Sequence, residues 1–306
     1  MTQQERSSSG HKLGQLIGDW FEEDIAAPLL QSVADNLNLY LDHRFRDRAC
    51  RGNKIIWQDL DGNDVDYDFV LELGGSDNEK GIPVAFFETF WRRGARHSKD
   101  KARDDSGKLM PMRDTYPTAR VLGIISAGDF TRPAQELVHS RRIDLFYIPK
   151  EQICNAWESA GIIMDYDDRA AESIKNEITE KAVQSLEVSR EHIYNNLYSS
   201  VGSAVFNSYI NRIIAGVSAL PIQYNITKVL VGETLSFVKY DDVVEYISYD
   251  DVDCDLSDSV TLFRYEVIFS DGTIFERVDL TSDEALDLHD TVGIVAQHFI
   301  VYNPVL

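Results

Sequence analysis

The chain has 306 residues, 43% of them hydrophobic and 26% charged, with a net charge of −21. That is long enough to bury a full core without staples, as one large domain or two modest ones. Its three cysteines, Cys50, Cys154 and Cys254, form no CxxC pair, so neither a zinc site nor a disulfide framework is expected, and the usage fits a reducing cytoplasm. No run approaches the apolar length of a membrane span, and Met1 to Gly10, with Ser7, Ser8 and Ser9, reads as a polar tail without the apolar segment of a secretory signal.

The excess of acid argues against nucleic acid as a partner, but its distribution reverses the argument locally. From Thr89 to Arg120 nine Lys/Arg stand against four Asp/Glu, a net of +5; from Pro221 to Leu306 four stand against seventeen, a net of −13. The chain therefore carries a basic patch in its first half and an acidic last third.

In chain order, Leu13 to Leu41 predicts a long amphipathic helix from Leu13, Leu16, Ile17, Trp20, Phe21, Ile25 and Leu29, with a kink or break at Pro28. Asn53–Gln58 predicts a strand, the Asp61-Gly62-Asn63 turn follows, and Val65–Leu73 and Ile82–Phe90 predict two more. Lys99 to Met112 predicts a helix that Gly107 weakens, with Ser98 available as its cap. A buried-type strand over Arg120–Ser126, a helix over Thr131–Arg141 and a strand over Ile143–Ile148 complete the order α-β-β-β-α-β-α-β. A meander followed by crossover units implies an α/β (α+β) fold with a central mixed sheet flanked by helices.

Beyond about residue 165 the pattern changes. Asp167–Arg190 and Glu191–Ala215 predict helices. Strands are expected at Lys228–Val231, Thr234–Lys239, Val243–Tyr249, Leu262–Phe269 and Thr273–Asp279, with a hairpin turn at Ser270-Asp271-Gly272 and a helix over Asp283–Val292. The expected division is 1–164 and 165–306, the second part a helical plus antiparallel β lobe for dimerisation or target recognition. The cluster Asp250-Asp251-Val252-Asp253-Cys254-Asp255 lacks the glycine and terminal glutamate of a calcium loop and reads as a solvated loop.

The chemistry-bearing segments are Val65-Asp66-Tyr67-Asp68-Phe69-Val70-Leu71-Glu72 and Val84-Ala85-Phe86-Phe87-Glu88-Thr89-Phe90-Trp91-Arg92-Arg93. Strand alternation lets Asp68 and Glu88, on adjacent strands, reach one hard cation. An acid heading one strand, a hairpin and an acid on the next strand resemble the PD-(D/E)XK nuclease superfamily, of which type II restriction endonucleases are the largest group. The resemblance covers about Leu13 to Pro149.

It implies a restriction-endonuclease-like sheet and Mg²⁺ held by Asp68 and Glu88. Asp66 competes for the first acid, and Glu72 lies deeper in the strand. The motif lysine should fall at position 90, where this chain has Phe90. Some members of the superfamily supply that cation from elsewhere, which implies Lys101 or Lys99, ahead of Arg92 and Arg93, since arginine is a poor base. Gly18-Asp19-Trp20-Phe21-Glu22 fits the GxxxE pattern of some members, in which Glu22, or here Glu23, adds to the metal site. Arg92, Arg93, Arg96 and Arg103 would hold DNA phosphates, and His97 is expected at the surface or on phosphate.

The expected activity is Mg²⁺-dependent cleavage of double-stranded DNA by a cytoplasmic homodimer, most simply a type II restriction enzyme. Its rivals are a nuclease of the same fold in repair or phage defence, a degenerate module that binds DNA or protein without cutting, and an acidic DNA mimic.

Overall fold

The computed structural model describes residues 9–167, 169–249 and 261–302. The expected tail, apart from Ser9 and Gly10, and the Asp250–Asp255 cluster lie outside the described residues.

The first helix is interrupted as Pro28 demands, though one turn earlier. Helix α1 (Ser9–Phe21) passes through a π-helical turn (Glu22–Ala26) into α2 (Ala27–Leu37). Ala27 donates its N–H to the Glu22 carbonyl, five residues back, while Pro28 has no N–H to offer. The helix stops at Asn38, in the left-handed region at φ 50°, and Tyr40–His43 is strand β1 rather than the expected end of the helix.

The expected strand Val65–Leu73 is two strands. Among the described residues β2 (Ile55–Gln58) pairs only with β3 (Asp64–Tyr67), in a small hairpin. The chain then bends at Asp68 and enters the main sheet as β4 (Phe69–Leu73). The sheet continues with β5 (Ile82–Arg92), β6 (Val121–Gly128) and β7 (Asp144–Pro149), in the order β1-β4-β5-β6-β7. β4 runs antiparallel to both of its neighbours, β1 and β5, whereas β5, β6 and β7 are parallel. The sheet is thus mixed, as expected.

Alternation along β5 divides the core. Ala85 and Phe87 enter one apolar cluster with α1 and α2; Phe86 and Phe90 enter the other, beneath α3 (Ser98–Thr115) and α4 (Arg132–Ser140). Helix α3 tolerates Gly107 and Pro111 because Ala102, Leu109 and Met112 bury one stripe against the sheet. A helix not expected from the sequence, α5 (Lys150–Glu158), buries Ile153, Ala156 and Trp157.

Helix α6 (Glu172–Val201) is continuous where two helices were expected, and breaks at Gly202 before α7 (Ser203–Val217). Ala182, Ile193, Leu197, Phe206 and Ile213 belong to the same core as α1 and α2, so that core runs across the expected boundary at residue 165. A separate core begins near Ala219. It lies within a four-stranded antiparallel sheet, β11-β10-β8-β9, formed by β8 (Pro221–Lys228), β9 (Glu233–Phe237), β10 (Phe263–Phe269) and β11 (Ile274–Leu280).

Tyr240–Tyr249 is helix α8, not a strand: Val243 and Ile247, four apart, are its buried residues. Helix α9 (Ser282–Tyr302) joins the two cores, with Leu288 and Val292 in one and Val295 and Phe299 in the other.

One buried charge network ties the β1/β4 end of the sheet. Arg48, with its side chain fully buried, donates to Glu72 (2.6 and 2.8 Å) and Asp42 (2.7 Å), and Arg51 donates to Asp42 at 2.7 Å. Removing one member leaves buried charge uncompensated, which costs about 3–5 kcal/mol. Arg48→Ala should lose stability on that scale in urea unfolding; a loss under about 1 kcal/mol would show that Glu72 and Asp42 do not depend on it.

Candidate active site

Asp68 occupies the bend where the chain leaves the hairpin for the main sheet. Phe69 pairs with Phe87, so one further step in that register sets Asp68 opposite Glu88. Asp68 Oδ2 accepts from the Thr89 N–H (2.7 Å) and from Thr89 Oγ1 (3.1 Å), which holds the carboxylate at β5. Asp66, its competitor, is committed to the hairpin: Oδ1 accepts from the Ile55 N–H at 3.1 Å and Oδ2 lies 3.3 Å from Lys54 Nζ. Glu72 is consumed by Arg48.

Glu88 is 1% exposed and shares the sheet face of Phe86 and Phe90. Its Oε2 accepts from Lys108 Nζ at 2.9 Å, while its Oε1 is buried with no hydrogen-bond partner among the described residues. Lys108 lies on α3, eighteen residues beyond the motif position occupied by Phe90. The Lys108 carbonyl accepts from Tyr67 OH at 2.7 Å, which fastens this turn of α3 to β3. Phe90 instead packs edge-on against Phe130, with centroids 5.1 Å apart.

The two lysines expected to substitute for position 90 differ in their surroundings. Lys101 donates to Asp105 Oδ1 at 2.6 Å and lies 5.6 Å from the centre of the Phe90 ring; Lys99 is exposed. Asp105 is fully buried, and its Oδ2 has no hydrogen-bond partner among the described residues. Sequence reasoning passed over both Lys108 and Asp105. The signal was Asp105 interrupting the apolar stripe Ala102, Leu109, Met112: a carboxylate there either meets a cation or faces a site.

Glu22, in the π-helical turn, is buried and accepts from Arg44 Nε (2.7 Å) and Nη2 (2.8 Å). Glu23 is exposed and pairs with Arg190 on α6. Burial, and secondarily the Asp68 charge, push Glu22 up to about 7 despite Arg44. Burial followed by the charges of Asp68 and Asp105 pushes Glu88 up to about 8 despite Lys108. Burial also raises Asp105, against the opposing charge of Lys101. For Lys108, burial works downward, but the charges of Glu88, Asp68 and Asp105 prevail and keep it above the ordinary lysine range. Asp68 is thus the group through which Glu22 on one side and Glu88 on the other feel a common field.

The basic residues surround the exit of β5. Arg92, Arg96, Lys99 and Arg103 are exposed, and Arg103 lies 3.4 Å from Asp100. Arg93 donates to the Tyr166 carbonyl at 2.7 Å and lies over the Tyr166 ring. His97, at φ 68°, precedes α3 and sits 3.2 Å from Asp100. Ser98, rather than capping the helix, bonds Thr131 Oγ1 at 2.9 Å. Gly128, at φ 102°, closes this end of β6: a Cβ there would lie 1.9 Å from the Arg92 carbonyl oxygen, which accepts from the Asp129 N–H. A cleft of about 860 Å³ between Trp57, Tyr116 and Arg277 contains none of these groups.

Comparison of the chain with protein families, curated proteins and solved structures finds no match. Among the described residues, no three His, Cys, Asp or Glu side chains form a ready metal cluster. The donor set nevertheless suits a hard cation: hard oxygen ligands from Asp68 and Glu88, with the unpartnered Glu88 Oε1 and a second orphan oxygen on Asp105. No described helix is long and apolar enough to cross a membrane.

The raised Glu88 carboxyl has a consequence for stability. Its pKa is 4.5 in the unfolded chain and about 8 in the native one, so the native state binds the extra proton between those values. Stability therefore falls as pH rises through that window. Glu88→Gln should be more stable than the parent above pH 8, by on the order of 2 kcal/mol, with little difference near pH 4.5. Thermal unfolding from pH 4.5 to 9 reads this directly, and a difference that stays flat with pH would refute it.

Proposed function

We propose that the chain is a Mg²⁺-dependent endonuclease of PD-(D/E)XK type acting on double-stranded DNA, with Lys108 in the role of the motif lysine. The observation that carries the reading is Lys108 Nζ at 2.9 Å from Glu88: an ammonium beside the second acid, supplied by the helix after β5 instead of by β5 itself. Asp68 and Glu88 would hold the cation, with Glu22 next to Asp68. A bound divalent cation neutralises charge at a scissile phosphate and lowers the pKa of water.

The chain's own groups account for the rest. Lys108, raised and therefore cationic at neutral pH, donates hydrogen bonds; it orients the attacking water and balances phosphate charge rather than removing a proton. Asp105 accepts from Lys101 at 2.6 Å, one turn away on α3, and so fixes the side chain of this second lysine along the helix. Arg92, Arg96, Lys99 and Arg103, exposed around the β5 exit, hold the backbone of the duplex. Glu88 must lose its proton to serve a cation, so cation affinity rises with pH toward about 8.

Type II restriction is the specific form favoured by this reading, with repair or phage defence as other roles for the same chemistry. The test is cleavage of unmethylated phage and supercoiled plasmid DNA with Mg²⁺ or Mn²⁺. Asp68→Asn and Glu88→Gln should abolish cutting, and Lys108→Met should slow it roughly 10²–10⁴-fold. Lys99→Met should cost much less. Discrete bands mark restriction and a smear a less selective nuclease. A parent protein that binds DNA but cuts nothing with either metal makes the chain a binding module. Arg96→Ala should weaken DNA binding and reduce its salt slope by about 1.

A further inference from the structure

The C-terminal sheet has two edges with different surroundings. β11 lies against the C-terminal end of α3, where Arg277 donates to the carbonyls of Asp114 (2.7 Å) and Thr115 (2.6 Å). At the opposite edge, β9 is hydrogen-bonded to β8 alone among the described residues. Its sequence, ETLSF, carries neither the lysine nor the proline that commonly guards an open edge. Flanking residues Leu230, Val231 and Val238 are 71%, 69% and 76% exposed. Lys228 to Lys239 has two lysines and one glutamate, a net of +1 within a region of −13. This stretch therefore adds no net negative charge to an approach between two acidic lobes.

We propose that β9 pairs antiparallel with β9 of a second copy of this chain, about a two-fold axis through Leu235, joining two four-stranded sheets into one. The register is self-complementary. Leu235 meets its own counterpart, next to Ile226, with which it already pairs across β8. Thr234 lies opposite the partner's Ser236, and Glu233 opposite the partner's Phe237, so no like charges face each other. The antiparallel pairing also brings Lys239, two residues past the end of β9, to the end of the ladder that holds the partner's Glu233, an opposite-charge approach made twice by symmetry. An acidic partner protein would lack this reciprocity at Glu233, and a duplex would be repelled by the rest of the lobe.

The proposal does not depend on the nuclease reading, and its test uses no DNA or metal. Sedimentation velocity of the full chain should give twice the 34.7 kDa of one copy. Leu235→Lys, at a position already 36% exposed, should sediment as a monomer with unchanged far-ultraviolet circular dichroism. Glu233→Lys and Lys239→Glu should each weaken association at least roughly tenfold, and the double swap should restore most of it. A parent that stays monomeric at about 50 μM, a folded Leu235→Lys variant that remains dimeric, or a double swap that fails to recover would each overturn the proposal.

Discussion

Glu88 is a carboxylate taken out of water beside two others, and the arrangement of the first half of the chain answers to that cost. Its Oε2 is met by Lys108 and its Oε1 by nothing among the described residues. A buried carboxylate is costly unless a cation compensates it, and Asp68 and Asp105 make the cost larger. Lys108 reaches Glu88 only because α3 packs with Ala102, Leu109 and Met112 against the sheet, and this turns Asp105 and Lys108 inward with them. The apolar stripe and the charged site therefore share one helix face, and neither can be moved without the other.

The remaining acids are brought in by two interruptions of regular structure. The bend at Asp68 separates a peripheral hairpin from the main sheet and frees that carboxylate to accept from Thr89. The π-helical turn, required because Pro28 cannot continue the α-helical hydrogen bonding, carries Glu22 to Arg44 and into the field of Asp68. Irregular backbone at both points has a local cause, and both lie against the same group of carboxylates.

Charge is segregated along the chain as well as within the site. The exposed cations gather after β5, while the last third carries net −13 on a lobe with its own core. Helix α9 contributes to both cores, and Arg120 pairs with Asp271 at 3.0 Å, so the lobe is docked by apolar packing and ion pairs together. An acidic lobe is thus fixed to a core whose exposed basic residues stand around the β5 exit.

Much of this was legible from residues alone. Alternating apolar positions gave the mixed sheet and its flanking helices, because burial of one face imposes a period of two on strands and near 3.6 on helices. The pairing of Asp68 with Glu88 across a hairpin followed from strand alternation, and the basic patch from counting charges. Other features depended on contacts distant in sequence. Val243–Tyr249 has an apolar content that suits a strand, and only its packing made it a helix. The single strand expected over Val65–Leu73 became two because separate partners, β2 and β5, claim its halves. Lys108, twenty residues from Glu88, could be assigned to it only once α3 was docked, since which helical residue meets a strand is set by the packing of the apolar stripe and by no local rule. Residue types and their spacing thus determined which groups were available, and tertiary packing decided which of them met, because a buried charge selects its partner by proximity in space.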